Sequence, residues 1–239
     1  MVMTDTLQRG QPPLEDVHAD IDFLLLSADV ASIRRFHGQP FWEEEGAASD
    51  RAIDLEQGLR LESVADHSWK VADAAFLLAD HYPHLDRSRC LELALLHDKL
   101  ELLTGDWSPI DADASGSSTH AFDPRQAARK ATAEREALDI LLVSVRPTAR
   151  ARHRTLFLEV IDRSSEEARF VAAVDKLASL IFVLQKKRTL HPRHLEFTLH
   201  YGAKSLDMFP LLAPYYHRLV ALLEEKYKLG ASLCACAED

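Results

Sequence analysis

Glycine and proline are scarce in this chain, with 8 and 10 among 239 residues. Strand-like alternation rich in Val, Ile and Thr is scarce as well, while apolar residues recur at helical spacing, so an all-α fold is expected. Cysteine is nearly absent. Cys90, Cys234 and Cys236 are an odd set that implies no disulfide framework and fits a reducing compartment. Cys234 and Cys236 form a C-x-C near the C-terminus and read as spare thiols, since two cysteines without further partners do not complete a zinc site. No uninterrupted apolar run is long enough to span a bilayer. The segment from Met1 to Asp16 lacks the apolar stretch of a signal peptide, so no membrane partner is expected and a cytoplasmic location is. An excess of positive charge is lacking too. Lys and Arg number 28 against 38 Asp and Glu, a formal charge of −10, which gives no general attraction for a nucleic acid polymer. A small phosphorylated metabolite stays open, because a few local cations and a metal can bind it against an acidic background.

What the chain does have is apolar content: 47% of it is hydrophobic, ample for one core and one domain. Residues 1–15 read as a disordered N-terminal segment, 16–230 as a single domain, and 231–239 as a flexible tail. A helix is expected from Asp16 to Arg35, with Ile21, Leu24, Leu25, Ala28 and Ile33 on its apolar face. Gly38 to Gly58 reads mostly as a loop. Ser63 with Asp66 three residues later resembles a capping box, which starts a helix at Val64 that continues to about His81 and puts His67 in its first turn. The next helix is expected over Arg87–Thr104, carrying Leu91, Ala94, Leu95 and Leu103, with Gly105 stopping it. A polar loop, Asp106 to about Thr119, reads as a mobile cover or rim. Helices are expected over Pro124–Val145, Thr148–Ile161 and Glu166–Lys187, the last with Phe170, Val174, Leu177, Ile181 and Leu184 inward. Pro192–Leu229 reads as one or two helices, interrupted at Pro210 and Pro214.

The strongest chemical signal is Leu95-Leu96-His97-Asp98-Lys99-Leu100-Glu101. An imidazole and a carboxylate stand side by side in an apolar helical stretch, where an ionised carboxylate is costly unless compensated. Glu101 follows three residues after Asp98 and four after His97, so a helix projects it from a similar side. A metal ion is the natural compensation, although a bare His-Asp pair is more often a solvated or hydrogen-bonded one. Two further residues shift the balance: His67 in Glu62-Ser-Val-Ala-Asp-His67-Ser, and Asp175, a carboxylate within the apolar face of another helix. Taken singly, His67 reads equally as a surface residue of a capped helix, and Asp175 as a partner of Lys176 or Arg169.

The order His, His-Asp, Asp resembles the HD-domain superfamily of metal-dependent phosphohydrolases. The blocks Glu62-Ser-Val-Ala-Asp-His67-Ser and His97-Asp98-Lys-Leu-Glu101-Leu-Leu-Thr-Gly105-Asp106 are similar to its small deoxynucleoside 5′-monophosphatase branch, over about Arg60 to Lys187. The resemblance implies an HD-type helical bundle in which His67, His97, Asp98 and Asp175 hold one divalent metal. It implies that Glu101 positions or deprotonates the attacking water, and that Asp106 faces the sugar and favours a 2′-deoxy ribose. It gives Arg60 a phosphate contact, with an exposed arginine before a helix as the equal alternative. The branch's further phosphate-binding Arg, followed by Trp, has no close counterpart upstream of His67. Either Arg35 with Phe36 or the nearby Phe41-Trp42 supplies that wall. Dimers are common in the branch, so a homodimer is an expected assembly.

Two imidazoles and two carboxylates form a mixed N/O set that suits Mn, Co, Ni, Fe or Zn. The leading expectation is a nucleotidase that releases the 5′-phosphate of a small-molecule nucleotide. The alternatives are another phosphate ester or a nucleoside triphosphate as substrate, or a metal-binding regulatory module without turnover. Trp107, next to Asp106, is placed to touch substrate, whereas Trp69 is expected in the core. Tyr215, Tyr216, Leu219, Leu222 and Leu223 read as packing or a dimer surface. The other histidines, His120 and His194 among them, are expected on surfaces or loops.

Overall fold

A computed structural model of the chain describes residues 12–35, 62–111, 115–186 and 192–235. Among these residues the fold is all-α: α1 (Leu14–Ala28), α2 (Val64–Leu78), α3 (Arg87–Leu96), α4 (Glu101–Thr104), α5 (Pro124–Leu141), α6 (Pro147–Asp162), α7 (Glu166–Lys186), α8 (Pro192–Met208) and α9 (Ala213–Ala235). The expected disordered segment and tail fall largely outside the described residues, as does the loop from Gly38 to Gly58. Residues 231–235 belong to α9.

Local chemistry starts these helices where the sequence predicts. Ser63 caps α2 in a full capping box: its side chain accepts from the Asp66 N–H, and Asp66 accepts from the Ser63 N–H. Asp86 and Asp123 cap α3 and α5 in the same sense, each such cap contributing about 1 kcal/mol. Pro124 and Pro147 sit in the first turns of α5 and α6, where a missing N–H costs nothing. Gly105, at φ 71°, ends α4 in the left-handed region that glycine accepts without a Cβ penalty.

The central element is α7, against which α2, α3, α6, α8 and α9 pack. One core cluster joins α2, α3 and α7 through Val71, Leu93, Phe170 and Val174, and a second joins α7, α8 and α9 through Leu180, Leu195 and Leu223. A third, around Phe157 and Leu138, seats α5 and α6.

Several expectations are corrected. Four successive apolar residues, Phe23 to Leu26, leave periodicity unable to choose a buried side of α1. Phe23 and Leu26 pack inward, while Ile21, Leu24 and Leu25 are exposed. Ile33 lies beyond a 3₁₀ turn and is off that face altogether. The helix expected over Arg87–Thr104 is two helices with a tight turn at residues 97–100, where the N–H of Lys99, Glu101 and Leu102 each bonds the carbonyl three residues back. Leu95, off the buried Cys90, Leu93 and Ala94 face of α3, is exposed, as is Leu103 of α4, while Leu100 in the turn is buried. Trp69 is 66% exposed rather than in the core. Pro210 interrupts the C-terminal region, but Pro214 lies in the first turn of α9, where it is tolerated. Tyr215, Tyr216 and Leu219 pack inward, as does the fully buried Leu223.

The α7–α8 contact is close because residue 202 is glycine. A Cβ there would overlap Leu180 of α7, reaching Cδ2 at 2.9 Å, and Leu180 is fully buried. Overpacking costs about 1–3 kcal/mol, against about 1 kcal/mol regained in helix propensity. Gly202→Ala is therefore expected to lower the urea midpoint slightly and Gly202→Leu strongly, with an unchanged m-value; a Gly202→Leu variant as stable as the parent refutes this packing.

Candidate metal centre

The capping box at Ser63 delivers His67 into the core: its side chain is fully buried. Its Nε2 lies 2.9 Å from Asp175 Oδ1, in the middle of α7, and 3.6 Å from Asp98 Oδ2. His97, at the end of α3, has its Nε2 3.3 Å from the same Asp98 oxygen, and the two imidazole rings are 5.2 Å apart. One ligand atom each from His67, His97 and Asp98 falls within a mutual 4.8 Å, close enough to hold one ion. Asp175 joins them through its contact with His67. The four residues named from sequence are thus brought together by three helices, 108 positions apart along the chain at the extreme.

The donor set suits a cation. His97 Nδ1 faces the Ala94 carbonyl at 2.7 Å. That contact fixes the proton on Nδ1 and turns the Nε2 lone pair toward the centre. The same Nε2 is buried without a hydrogen-bond partner, as is Glu101 Oε2. Burial opposes the charge on Asp98 and Asp175, but the surrounding cations win and hold both carboxyls below the usual range. For Asp98 these are His97, Arg35 and His67; for Asp175, Lys176, His67 and His97. His97 is raised despite burial, by Asp98 and Asp175.

A second layer fixes these groups. Glu62, buried and given no role by sequence, lies with Oε2 3.4 Å from His67 Nδ1 and receives Lys70 at 2.8 Å. Its pKa is lowered against burial by His67, Arg35 and Lys70. A carboxylate behind a ligating imidazole orients the ring and raises its basicity. Lys176 Nζ holds Asp175 Oδ2 at 2.7 Å and Tyr201 Oη at 2.8 Å. Arg35 holds Asp98 Oδ2 at 2.5 Å. It gets there by backbone pairing: the Arg35 N–H donates to the Glu62 carbonyl at 2.8 Å and the Val64 N–H to the Ile33 carbonyl at 3.0 Å. Arg35 is therefore at the centre although it lies 27 positions before Glu62 in the sequence. Arg60, Phe36, Phe41 and Trp42 lie outside the described residues.

A cavity of about 320 Å³ opens on the centre. Arg35, His97, Asp98 and Asp175 line it, and so do Glu101, Asp106 and Trp107. Glu101 is raised well above an ordinary carboxylic acid, first by burial and then by the Asp98 charge, with Asp106 adding to it. The loop after Gly105 contributes Asp106, Trp107, Pro109 and Ile110 to the cavity lining. Asp111 braces it, accepting from the N–H groups of Ser115, Gly116 and Ser118 at 3.0, 2.8 and 3.1 Å. His120, in a loop as expected, and His194 also line the cavity, and the place of His194 within α8 corrects its assignment to surface or loop. His194 is only 3% exposed, and no local pattern distinguishes either residue from the remaining histidines.

Comparison with known proteins agrees with this geometry. The family model described as HD domain matches residues 48–210. A 5′-deoxynucleotidase from Bos taurus is 32% identical over 120 residues, covering 50% of this chain and 52% of that protein. A 5′-deoxynucleotidase from Schizosaccharomyces pombe is 28% identical over 148 residues, covering 62% and 65%. The chain thus matches about half to two thirds of the length of these relatives. Among solved structures, a predicted metal-dependent phosphohydrolase from Magnetospirillum magnetotacticum MS-1 superposes with a TM-score of 0.61 at 22% identity, covering 88% of this chain and 96% of that one. An HD-domain phosphohydrolase from Listeria innocua does so with 0.59 at 16%, covering 92% and 99%. These two share the fold. With the family model spanning well over half of its length, this chain belongs to the HD domain family.

Proposed function

We propose that the chain is a metal-dependent phosphomonoesterase that removes the 5′-phosphate from deoxynucleoside monophosphates. The observation that carries this reading is the convergence of His67, His97, Asp98 and Asp175, three of which line a cavity together with Glu101, whose Oε2 is buried and unpartnered. The names of the bovine and yeast relatives support the substrate class.

In this reading the two imidazoles and two carboxylates hold one divalent ion, Mn, Co, Ni, Fe or Zn. Such an ion makes a water more acidic and draws charge from the phosphoryl group. Glu101 Oε2 takes the proton of the attacking water, and burial and the Asp98 charge, which raise its pKa, make its carboxylate more basic. Arg35 holds non-bridging phosphoryl oxygens, with its planar fork suited to two of them. Asp106 meets the sugar and Trp107 the base or sugar face. The cavity volume lies at the lower end of ligand pockets, enough for one small ligand and not for a polymer.

The formal charges of the lining support a monoester. Arg35, Lys130, Arg163, Lys176 and Lys204 are balanced by Asp98, Glu101, Asp106, Glu134 and Asp175. A divalent ion adds two positive charges, the complement of a phosphate monoester carrying about −1.5 to −2 at neutral pH. Among the described residues no helix is long and apolar enough to cross a membrane. The reading includes a cytoplasmic location and, from the family resemblance, a homodimer.

The decisive experiment incubates the protein with each of these metals and a panel of ribo- and deoxyribonucleoside mono- and triphosphates, and measures phosphate release. Deoxynucleoside monophosphates are expected to be cleaved and chelation to abolish cleavage; release of triphosphate, or no release with any metal, overturns the reading. Glu101→Gln is expected to keep its metal by elemental analysis and lose about 10²–10⁴-fold in kcat. His67→Ala and Asp175→Ala are expected to lose the metal. They lose with it the stabilisation a saturating ion gives, about 2.7 kcal/mol at a hundredfold excess over Kd, read as a metal-insensitive Tm. Asp106→Asn is expected to narrow the ratio of deoxy to ribo turnover; an unchanged ratio removes its role at the sugar.

A further inference from the structure

Three lysines from three helices gather around one imidazole on the cavity wall. Lys130 of α5, Lys176 of α7 and Lys204 of α8 all line the cavity, and so does His120, carried in by the loop before α5. All three act on His120: burial first, then the charges of Lys130, Lys176 and Lys204, push its pKa down to about 3. His120 is thus a neutral ring at physiological pH, with one N–H to donate and no charge to add to the cluster.

Each ammonium is fixed in place. Lys130 donates to Glu134, one turn along α5. Lys176 is shared between Asp175 and Tyr201 and lies 4.6 Å from the centre of the Tyr201 ring. Lys204 donates to the Ala121 carbonyl, next to His120, and sits 5.4 Å over the Phe122 ring, which is itself stacked on His200. A lysine has three donors, so one ion pair or one carbonyl leaves donor capacity at each. Gathering like charges in a partly desolvated wall is unfavourable by itself. Glu134 and Asp175 offset the charges of Lys130 and Lys176, and an anion entering the cavity meets the donors that remain on all three lysines.

We propose that Lys130, Lys176 and Lys204, grouped around His120, form with Arg35 the wall that holds the phosphoryl oxygens of the substrate. This rests on the phosphomonoesterase reading above. A terminal phosphate offers three acceptor oxygens. Lys176 is bonded to the outer oxygen of the proposed ligand Asp175, and Lys130 acts on Glu101 and Asp98. Lys176 and Lys130 therefore adjoin the reaction centre itself, and Lys204 continues the same cavity lining. Arg35 supplies a directional fork, and the lysines supply charge that tolerates the movement of the phosphoryl group during transfer. His120 adds a neutral donor without competing for the anion as a base.

The test uses the metal-loaded protein with Lys130→Gln, Lys204→Gln and, to restore charge, Lys130→Arg. Inorganic phosphate is titrated calorimetrically, and KM, kcat and inhibition by the unphosphorylated deoxynucleoside are measured in parallel. Each Gln variant is expected to weaken phosphate binding and raise KM about tenfold, the loss of one charge-assisted hydrogen bond. Nucleoside inhibition and metal content are expected to stay as in the parent, and Lys130→Arg to recover most of the affinity. Unchanged phosphate affinity in both Gln variants overturns the wall, and so does a parallel loss of nucleoside affinity, which marks general damage to the cavity. If the parent releases phosphate from no nucleotide, the phosphomonoesterase reading fails, while the phosphate titration still decides the lysine wall.

Discussion

Burying Asp98 and Asp175 inside a helical bundle is the constraint around which this molecule is arranged. An ionised carboxylate removed from water is costly unless it is paired and hydrogen-bonded. Each here has a cation fastened to one of its oxygens, Arg35 on Asp98 and Lys176 on Asp175, and an imidazole against an oxygen. His67 in turn is backed by Glu62, and Glu62 by Lys70. The result is alternating charge in depth, from surface lysine to buried carboxylate to imidazole to carboxylate to cation. Removing one member exposes its neighbour to the full desolvation cost, which is why the layer behind the ligands matters as much as the ligands. A divalent ion fits the open face of that arrangement, where His97 Nε2 and Glu101 Oε2 lack partners.

What could be read in advance follows the range of the interactions. Ser63 and Asp66 form their capping box within one turn, so sequence alone placed the start of α2 and, with it, His67. The apolar stripe of α7 is similarly local, and Phe170, Val174 and Leu177 are buried as expected. Arg35 illustrates the other case. Whether it or the Phe41-Trp42 stretch reached the site depended on a backbone bridge between residues 34 and 63, and such pairing leaves no trace in composition or periodicity. The turn at residues 97–100 is illegible for a different reason: its residues are ordinary helix formers, and its three-residue hydrogen bonds leave the apolar pattern unchanged. His120, Lys130 and Lys204 were illegible because they belong to three segments that meet only after α5, α7 and α8 have packed.

The rim shows how a loop can be both irregular and well defined. Asp111 replaces the missing helical partners by accepting several N–H bonds from the residues that follow it. Gly116, at φ 71°, lets the chain close against Phe197 of α8, where a Cβ would also meet the Pro109 carbonyl at 2.9 Å. Thr119 ties the two limbs together through the Pro109 and Gly116 carbonyls, at 2.7 and 2.9 Å. This bracing sets the position of Asp106 and Trp107 at one end of the loop and His120 at the other. The residues proposed to meet substrate are thus held by α8 as much as by their own segment.

Net charge and local charge then act at different ranges. At physiological salt the field of the −10 surface is screened beyond about 8 Å, so it disfavours extended polyanions, which must lie along the surface to bind. On the proposed function, a mononucleotide entering the cavity would leave that field behind and meet Arg35 and the lysines at hydrogen-bond range, where water is largely excluded and each contact is stronger. The same separation would let an acidic protein select an anionic substrate by size, since a phosphate at the end of a small ligand would reach the cations and a phosphate in the middle of a chain would not.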